Sequence, residues 1–250
     1  GSWTYFANDI AYHMNKVDRD YNNLVNILGA DHTGYIKRIT AAVSALSENK
    51  VKLNCKVCQL VKLYKNGHPF KMSKRAGEFI SAKDLLKEVN KDLIRFMMLN
   101  RSNDVELDFD FDKVKEKTKD NPVFYVQYAF ARINSLHRSL DIDLNSKIIL
   151  NEKTFKLNSN EEKIIRKIFE WPKVIESASK KFEIHKIPFY LYDLATLFHS
   201  YWSKGNENKK FKFIEGKKIK RIEILAILNL ITIVIQNGMK ILGVSLPKEM

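Results

Sequence analysis

The densest chemistry in the chain lies in Pro69-Phe70-Lys71-Met72-Ser73-Lys74-Arg75-Ala76-Gly77, written PFKMSKRAG. Three cations and a small hydroxyl stand between two apolar stretches, and a glycine closes the run. A surface turn has no need of so much charge. A loop that grips a phosphate does, because cations neutralise the oxygens and backbone N–H groups can point at them.

A second constellation is Tyr5-Phe-Ala-Asn-Asp9-Ile-Ala-Tyr12-His13-Met-Asn-Lys16. At 100° per residue, Phe6, Ile10, Met14 and Val17 cluster on one side of a helix, and Tyr5, Asp9, Tyr12 and His13 share the other. A carboxylate between phenols and an imidazole suits a cationic ligand. It accepts two hydrogen bonds from a guanidinium while a ring lies against the guanidinium plane. An ordinary solvated helix face has the same pattern, so the residues leave both readings open.

A third lies in Asn121-Pro-Val-Phe-Tyr125-Val-Gln-Tyr128-Ala-Phe-Ala-Arg132-Ile. Val126, Ala129, Ile133, Leu136 and Leu140 form the expected core stripe, with Tyr125, Tyr128 and Arg132 on its flank. Rings plus an arginine suit unstacked bases, which need stacking platforms and a cation near phosphate. Tyrosines covering the edge of a core give the same pattern. Gly29-Ala30-Asp31-His32 follows an apolar run and precedes a helical one. Ligands of α/β sheets sit at the carboxyl ends of strands, where an Asp can bond ribose hydroxyls.

The two cysteines, Cys55 and Cys58, form one C-x-x-C with no second pair. They fall in an extended run, where residues three apart point to opposite faces, which argues against a shared metal and fits a reducing compartment.

The elements that must hold these residues change character near residue 118. Before it, strand-like runs at 24–29 and 52–64, the latter turned by Asn66-Gly67, alternate with helical segments at 33–46, 81–89 and 92–100. Ser81 is the expected N-cap of the 81–89 helix, with Asp84 three residues on. That alternation reads as an α/β layer. After 118 the period is helical, over 120–140, 160–170, 172–183, 187–203 and 217–241, with polar loops at 141–159 and 204–216, which reads as a helical bundle. The apolar stretch 224–238 contains Asn229, Gln236 and Asn237 and reads as a buried core helix rather than a membrane span. No signal-peptide pattern is visible at the start.

With 250 residues, 45% of them hydrophobic, the chain can bury a core, so global disorder is excluded. Its formal net charge of +14 points to a polyanionic partner, nucleic acid foremost, although a lysine-biased composition produces the same excess.

Six segments occur together and in order: TYFANDIAYH, GADHTGYI, FKMSKRAG, LDFDFD, NPVFYVQYAFARI and LGVSLPKEM. The set resembles the C-terminal part of arginyl-tRNA synthetases, the bacterial branch in particular, over essentially the whole chain. The resemblance implies an α/β plus all-α fold. The C-terminal half of a Rossmann-like class I synthetase catalytic domain (1–77) would lead through a stem-contact connector (78–117) to a helical-bundle anticodon-binding domain (118–250). Lys71 to Arg75 then look like the class I signature loop that closes over ATP. Lys71, Ser73 and Lys74 would be catalytic, Lys74 stabilising the pyrophosphate leaving group, and Met72 and Arg75 would complete the ATP contact. Each such contact to developing charge is typically worth ~3–4 kcal/mol.

The same resemblance implies that Tyr5 and Asp9 bind arginine with Tyr12 and His13 beside them, and that Asp31 and His32 face the nucleotide. Tyr125, Tyr128, Arg132 and Met250 would contact anticodon-loop bases. The implied partners are an arginine tRNA, L-arginine and ATP with Mg2+. No structural metal and no membrane are implied. The full-length enzyme would be monomeric and cytoplasmic. None of the six histidines forms the H-x-G-H motif that such enzymes carry in the first half of the Rossmann fold. The expectation is therefore a C-terminal piece of a longer enzyme, inactive by itself. A non-catalytic tRNA-binding module, or a class I synthetase for another amino acid such as cysteine or glutamate, are the rival readings.

Overall fold

The computed structural model describes residues 3–70, 81–142, 148–150 and 155–250. The chain forms two compact units, one of residues 1–62 with 103–108 and the other of 63–102 with 109–250. The division runs through two strands near 62 and 108, so residues 78–117, expected as a connector, are shared between the units.

The first unit opens with α1 (Tyr5–Val17), followed by β1 (Asn23–Gly29), a 3₁₀ turn over Ala30–Tyr35, α2 (Ile36–Leu46) and β2 (Lys52–Cys58). β1 and β2 pair in parallel from Asn23 opposite Lys52 to Gly29 opposite Cys58. A parallel pair needs a crossover, and α2 supplies it. Leu24, Ile39, Val43 and Leu53 form the core, with Phe6, Tyr35, Val51 and Cys55 packed on it. The other face of β1 stays open: Val25 and Ile27 are 40% and 65% exposed. The helix expected from residue 33 begins as the tighter 3₁₀ turn and becomes α-helical only at Ile36. Cys55 is half-buried and Cys58 exposed, both as free thiols, and burial pushes the Cys55 thiol up.

The extended run expected over 52–64 is broken at Gln59 and Leu60 into β2 and β3 (Val61–Lys65). β3 turns through Asn66 and Gly67 (φ +53° and +73°) into β4 (His68–Pro69). Positive φ at both central residues is what a two-residue hairpin loop demands, and Asn-Gly meets it. A later strand, β5 (Leu107–Asp110), completes a sheet in the order β4-β3-β5.

The second unit is mainly helical. α3 (Ala82–Glu88) starts with the expected cap: Ser81 accepts from the Asp84 N–H, and the Asp84 carboxylate takes the Ser81 N–H. Hydrogen bonds from Lys87 and Ser81 pull the Asp84 carboxyl down to about 2. α4 (Lys91–Leu99) follows, capped by Asn90. α5 (Pro122–Ser139) has proline in its first turn, where its missing N–H costs nothing. α6 (Ser159–Phe169), α7 (Trp171–Lys181) and α8 (Lys186–Glu207) come next. A small hairpin, β6 (Ile214–Glu215) and β7 (Lys218–Ile219), leads into α9 (Ile222–Leu242). α9 therefore begins five residues later than the 217–241 period suggested, because Gly216 (φ +62°) turns the chain into the hairpin.

The expected α5 stripe is buried at Val126, Ala129, Ile133 and Leu136, while Leu140 is the half-buried C-cap. Leu191, Leu194, Phe198, Leu228, Ile231 and Ile235 join the same core from α8 and α9. Among the described residues, α9 alone is long and apolar enough to cross a membrane. Length therefore does not decide its role. Burial of Ile224, Leu228, Ile231, Ile235 and Met239 against the other helices makes it a core helix.

Glu161 ties the bundle together. It is fully buried, accepts from the Tyr201 hydroxyl at 2.7 Å and from the Asn158 N–H at 2.9 Å, and pairs with the Arg221 guanidinium. One carboxylate thus joins the start of α6, the middle of α8 and the start of α9.

Candidate functional site

In the first unit, Asp9 accepts a hydrogen bond from the Tyr35 hydroxyl at 2.6 Å. Burial, with the Asp9 carboxylate beside it, pushes the Tyr35 phenol up to about 12. The Tyr35 ring meets the His32 ring edge-on at 6.4 Å. Tyr35 therefore links the expected arginine face to the expected nucleotide face, and sequence reasoning missed it. Only its place one residue after Gly34, in the turn that leaves β1, could have pointed to it.

The helical wheel misplaced His13. The structure puts it 4% exposed, whereas Tyr5 is 90% and Tyr12 56% exposed. Its Nδ1–H donates to the Asp9 carbonyl at 2.7 Å, and its Nε2 accepts from the Asn26 side-chain N–H at 2.9 Å. Both ring nitrogens are occupied, so His13 fastens α1 to β1 and has no atom left for a ligand. Lys16 completes the tie, donating to Asn26 at 3.0 Å while lying 4.5 Å from the Tyr12 ring.

Asp31 and His32 sit just beyond the carboxyl end of β1, 3.4 Å apart and largely exposed. A Cβ on Gly29 would stand 2.6 Å from the Asp31 carboxylate, an exposed side-chain end that would swing aside to make room. Lys71, Met72, Ser73, Lys74 and Arg75 lie outside the described residues.

In the second unit, Tyr125, Tyr128 and Arg132 come together on α5 and meet a partner that the sequence did not reveal. His199 of α8 is 6% exposed. Its Nε2–H donates to the Tyr125 carbonyl at 3.1 Å, and its Nδ1 accepts from Arg132 at 3.3 Å. Its ring stacks on Tyr128 at 5.5 Å and leans on Tyr125 at 4.4 Å. Burial, reinforced by the Arg132 charge, pushes the His199 imidazole down to about 4, so it is neutral at pH 7. Burial also raises the Tyr125 phenol.

Arg132 donates to the Tyr128 hydroxyl and lies 4.3 Å from the Tyr128 ring and 5.1 Å from the Trp202 ring. Tyr128, Arg132, Trp202 and Met250 line an open cavity of about 540 Å³. Tyr125 lines an adjoining one of about 470 Å³ with Lys117, Lys119 and His199. Met250 is brought there by the anchored chain after α9: Arg138 donates to the Lys248 carbonyl at 3.1 Å, and Gln127 to the Ser245 carbonyl at 2.9 Å. The arrangement offers ring faces, a cation held in place and a polarizable methionine. Such a surface takes a flat, anionic ligand such as an unstacked nucleotide.

Among the described residues there is no cluster of three His, Cys, Asp or Glu side chains that could hold a metal.

The family model of the DALR anticodon binding domain matches residues 126–250. The chain belongs to the DALR anticodon-binding family. Its whole length is also similar to a C-terminal portion of arginyl-tRNA synthetases. It is 55% identical to an arginine–tRNA ligase from Pelagibacter ubique and 48% identical to one from Ruegeria pomeroyi, in both cases over 100% of the chain. The chain spans only 43% and 44% of those relatives. Among solved structures, one from Campylobacter jejuni, assigned as an arginyl-tRNA synthetase, superposes with a TM-score of 0.86 at 30% identity, over 100% of this chain and 53% of that one. The Thermus thermophilus arginyl-tRNA synthetase shares the fold at a TM-score of 0.70 and 17% identity, over 100% of this chain and 50% of that one. The mixed α/β plus helical architecture is thus the one the sequence led us to expect.

Proposed function

We infer that this chain is the part of an arginyl-tRNA synthetase that reads the tRNA anticodon and carries one side of the arginine and ATP sites. The observation that carries the reading is the Tyr128–Arg132–His199–Trp202 cluster, which lies inside the residues matched by the anticodon-binding family. Tyr128 and Trp202 give ring faces on which a base can stack. Arg132, held by Tyr128 and by neutral His199, presents a cation without having to be ordered on binding. Tyr125 and Met250 border the same surface.

The parent enzyme joins arginine to its tRNA in two steps. The arginine carboxylate attacks the α-phosphate of ATP and pyrophosphate leaves. The 2′-hydroxyl of the tRNA's terminal adenosine then takes the arginyl group. Asp9, oriented by Tyr35, accepts the arginine guanidinium, with Tyr5 and Tyr12 alongside. His13 holds α1 in place rather than touching the amino acid. Asp31 and His32 serve the nucleotide. Lys71, Ser73 and Lys74, with Met72 and Arg75, neutralise the leaving pyrophosphate. Mg2+ accompanies ATP as a hard cation on its phosphate oxygens. The segments 1–77, 78–117 and 118–250 divide these tasks into catalysis, stem contact and anticodon reading. The setting is the cytoplasm.

The test is fluorescence anisotropy of the 250-residue chain with an arginine tRNA and with the same tRNA changed at its middle anticodon base. Loss of one stacked and hydrogen-bonded base costs about 1–3 kcal/mol, a five- to 150-fold weaker Kd. Equal binding of both RNAs overturns the reading.

A further inference from the structure

Residues 204–221 hold seven lysines and one arginine against two glutamates, a net +6 within a chain of net +14. An even lysine bias would spread that charge. What sets this segment apart is the density of its charge, since elsewhere in the same unit some lysines pair and others, such as Lys113, Lys163 and Lys173, have no ion pair among the described residues. Lys65, Lys87, Lys167, Lys180 and Lys186 each pair with a carboxylate. Lys209, Lys210, Lys212, Lys217 and Lys218 are all exposed, and among the described residues none has an ion pair. Glu215 stands opposite Lys218 across the hairpin without pairing with it, and Glu207 is exposed at the end of α8.

This charge is mounted rigidly. Phe213 is 5% exposed and packs on Tyr201 at 4.7 Å and edge-on to Trp202 at 5.3 Å. Lys220 N–H closes the hairpin on the Phe213 carbonyl at 2.8 Å. A Cβ on Gly205 would stand 3.0 Å from the Phe211 carbonyl, so the segment lies tight on α8. Between the hairpin and α8 runs a groove of about 340 Å³ lined by Trp202, Gly205, Phe211, Lys212 and Ile214. Trp202 and Ile214 also line the cavity that holds Tyr128 and Arg132. The two concavities are therefore neighbours across one indole ring.

We propose that the β6–β7 hairpin and its groove form a second RNA subsite, which grips the sugar–phosphate backbone of the nucleotides flanking the base held at Tyr128 and Arg132. The proposal rests on the anticodon-reading role given above and adds a surface to it. Lysine is a compact point charge on a flexible stem, suited to phosphate and poor at bidentate base recognition. The hairpin therefore supplies affinity and Trp202 continues the stacking platform, while discrimination stays with the α5 cluster.

The experiment compares the chain with a variant carrying Lys209→Gln, Lys210→Gln, Lys217→Gln and Lys218→Gln, and with the matching Lys→Arg variant. Each binds an in-vitro transcribed arginine tRNA, and its partner with a changed middle anticodon base, from 0.05 to 0.4 M salt. Four lost phosphate contacts make the slope of log K against log salt shallower by about 2–3, which is roughly 100-fold or more in affinity at 0.1 M relative to 1 M salt. The expected result is that shallower slope for the Gln variant, an unchanged slope for the Arg variant, and an unchanged discrimination ratio for both. All side chains changed are exposed, so melting temperatures should match. An unchanged slope in the Gln variant overturns the subsite while leaving the anticodon reading intact. A shallower slope with lost discrimination overturns its assignment to backbone. Failure of the unaltered chain to discriminate the two RNAs overturns the anticodon reading itself.

Discussion

His199 makes the sharpest prediction, because its environment fixes both its charge and its partners. Its pKa stands at about 4, against about 6.5 for a free imidazole. A depressed pKa on a base means that the unfolded chain binds more protons than the folded one between those values. Stability is therefore full above pH 6.5 and falls as pH drops toward 4. From pH 7 to pH 4.5 the loss comes to about 2–3 kcal/mol. The groups around the ring are Arg132, Tyr125, Tyr128 and Phe198. No carboxylate stands among them to hold the protonated form.

His199→Phe keeps a ring of similar size and removes the proton site. It also removes the acceptor of Arg132 and the donor to the Tyr125 carbonyl, which costs about 1–3 kcal/mol at pH 7. Urea unfolding followed by far-UV circular dichroism, at pH 7.0 and 4.5, gives four free energies. Carboxylates elsewhere contribute equally to both proteins, so the difference of differences isolates the imidazole. The unaltered chain should lose about 2–3 kcal/mol more than the variant on acidification. Equal pH dependence in the two proteins refutes the claim that His199 is a buried neutral ring. In tRNA binding, His199→Phe should lower anticodon discrimination by loosening Arg132 and leave the salt slope unchanged, since no phosphate contact is lost.

Two further predictions test the packing and the first unit. Gly238→Ala places a methyl 2.8 Å from both Leu191 Cδ atoms, where α9 crosses α8. Overpacking of about 1–3 kcal/mol outweighs a helix-propensity gain of about 1 kcal/mol, so a lower thermal midpoint is expected, and a raised one contradicts the close helix approach. Tyr35→Phe in the full-length enzyme removes the hydrogen bond that orients Asp9. About 1 kcal/mol of positioning corresponds to a roughly fivefold higher KM for arginine in ATP–pyrophosphate exchange, with the KM for ATP unchanged. A change in the ATP KM alone would remove Tyr35 from the arginine side.

Local spacing determined much of this protein. The run 24–29 became β1, and the 3.6-residue periods after 118 became α5 to α9 with shifts of a few residues at their ends. Ser81 and Asp84 formed their cap because both partners lie within one turn. Tyr125, Tyr128 and Arg132 lie three and four residues apart, so any helix brings them to one face. The sequence could not place His13, because a helical wheel gives a direction without saying which direction is inside. Only the packing of α1 on β1, through Asn26, turned that ring into a buried tie. Nor could it show His199 and Trp202, which reach α5 from α8, some 70 residues away in the chain. The lysines of 204–221 were visible as composition, but the Phe213 anchor and the Gly216 turn made them a surface. Spacing along one element fixes which side chains travel together. Burial and long-range contact fix what they meet, and those depend on every other element that competes for the same core.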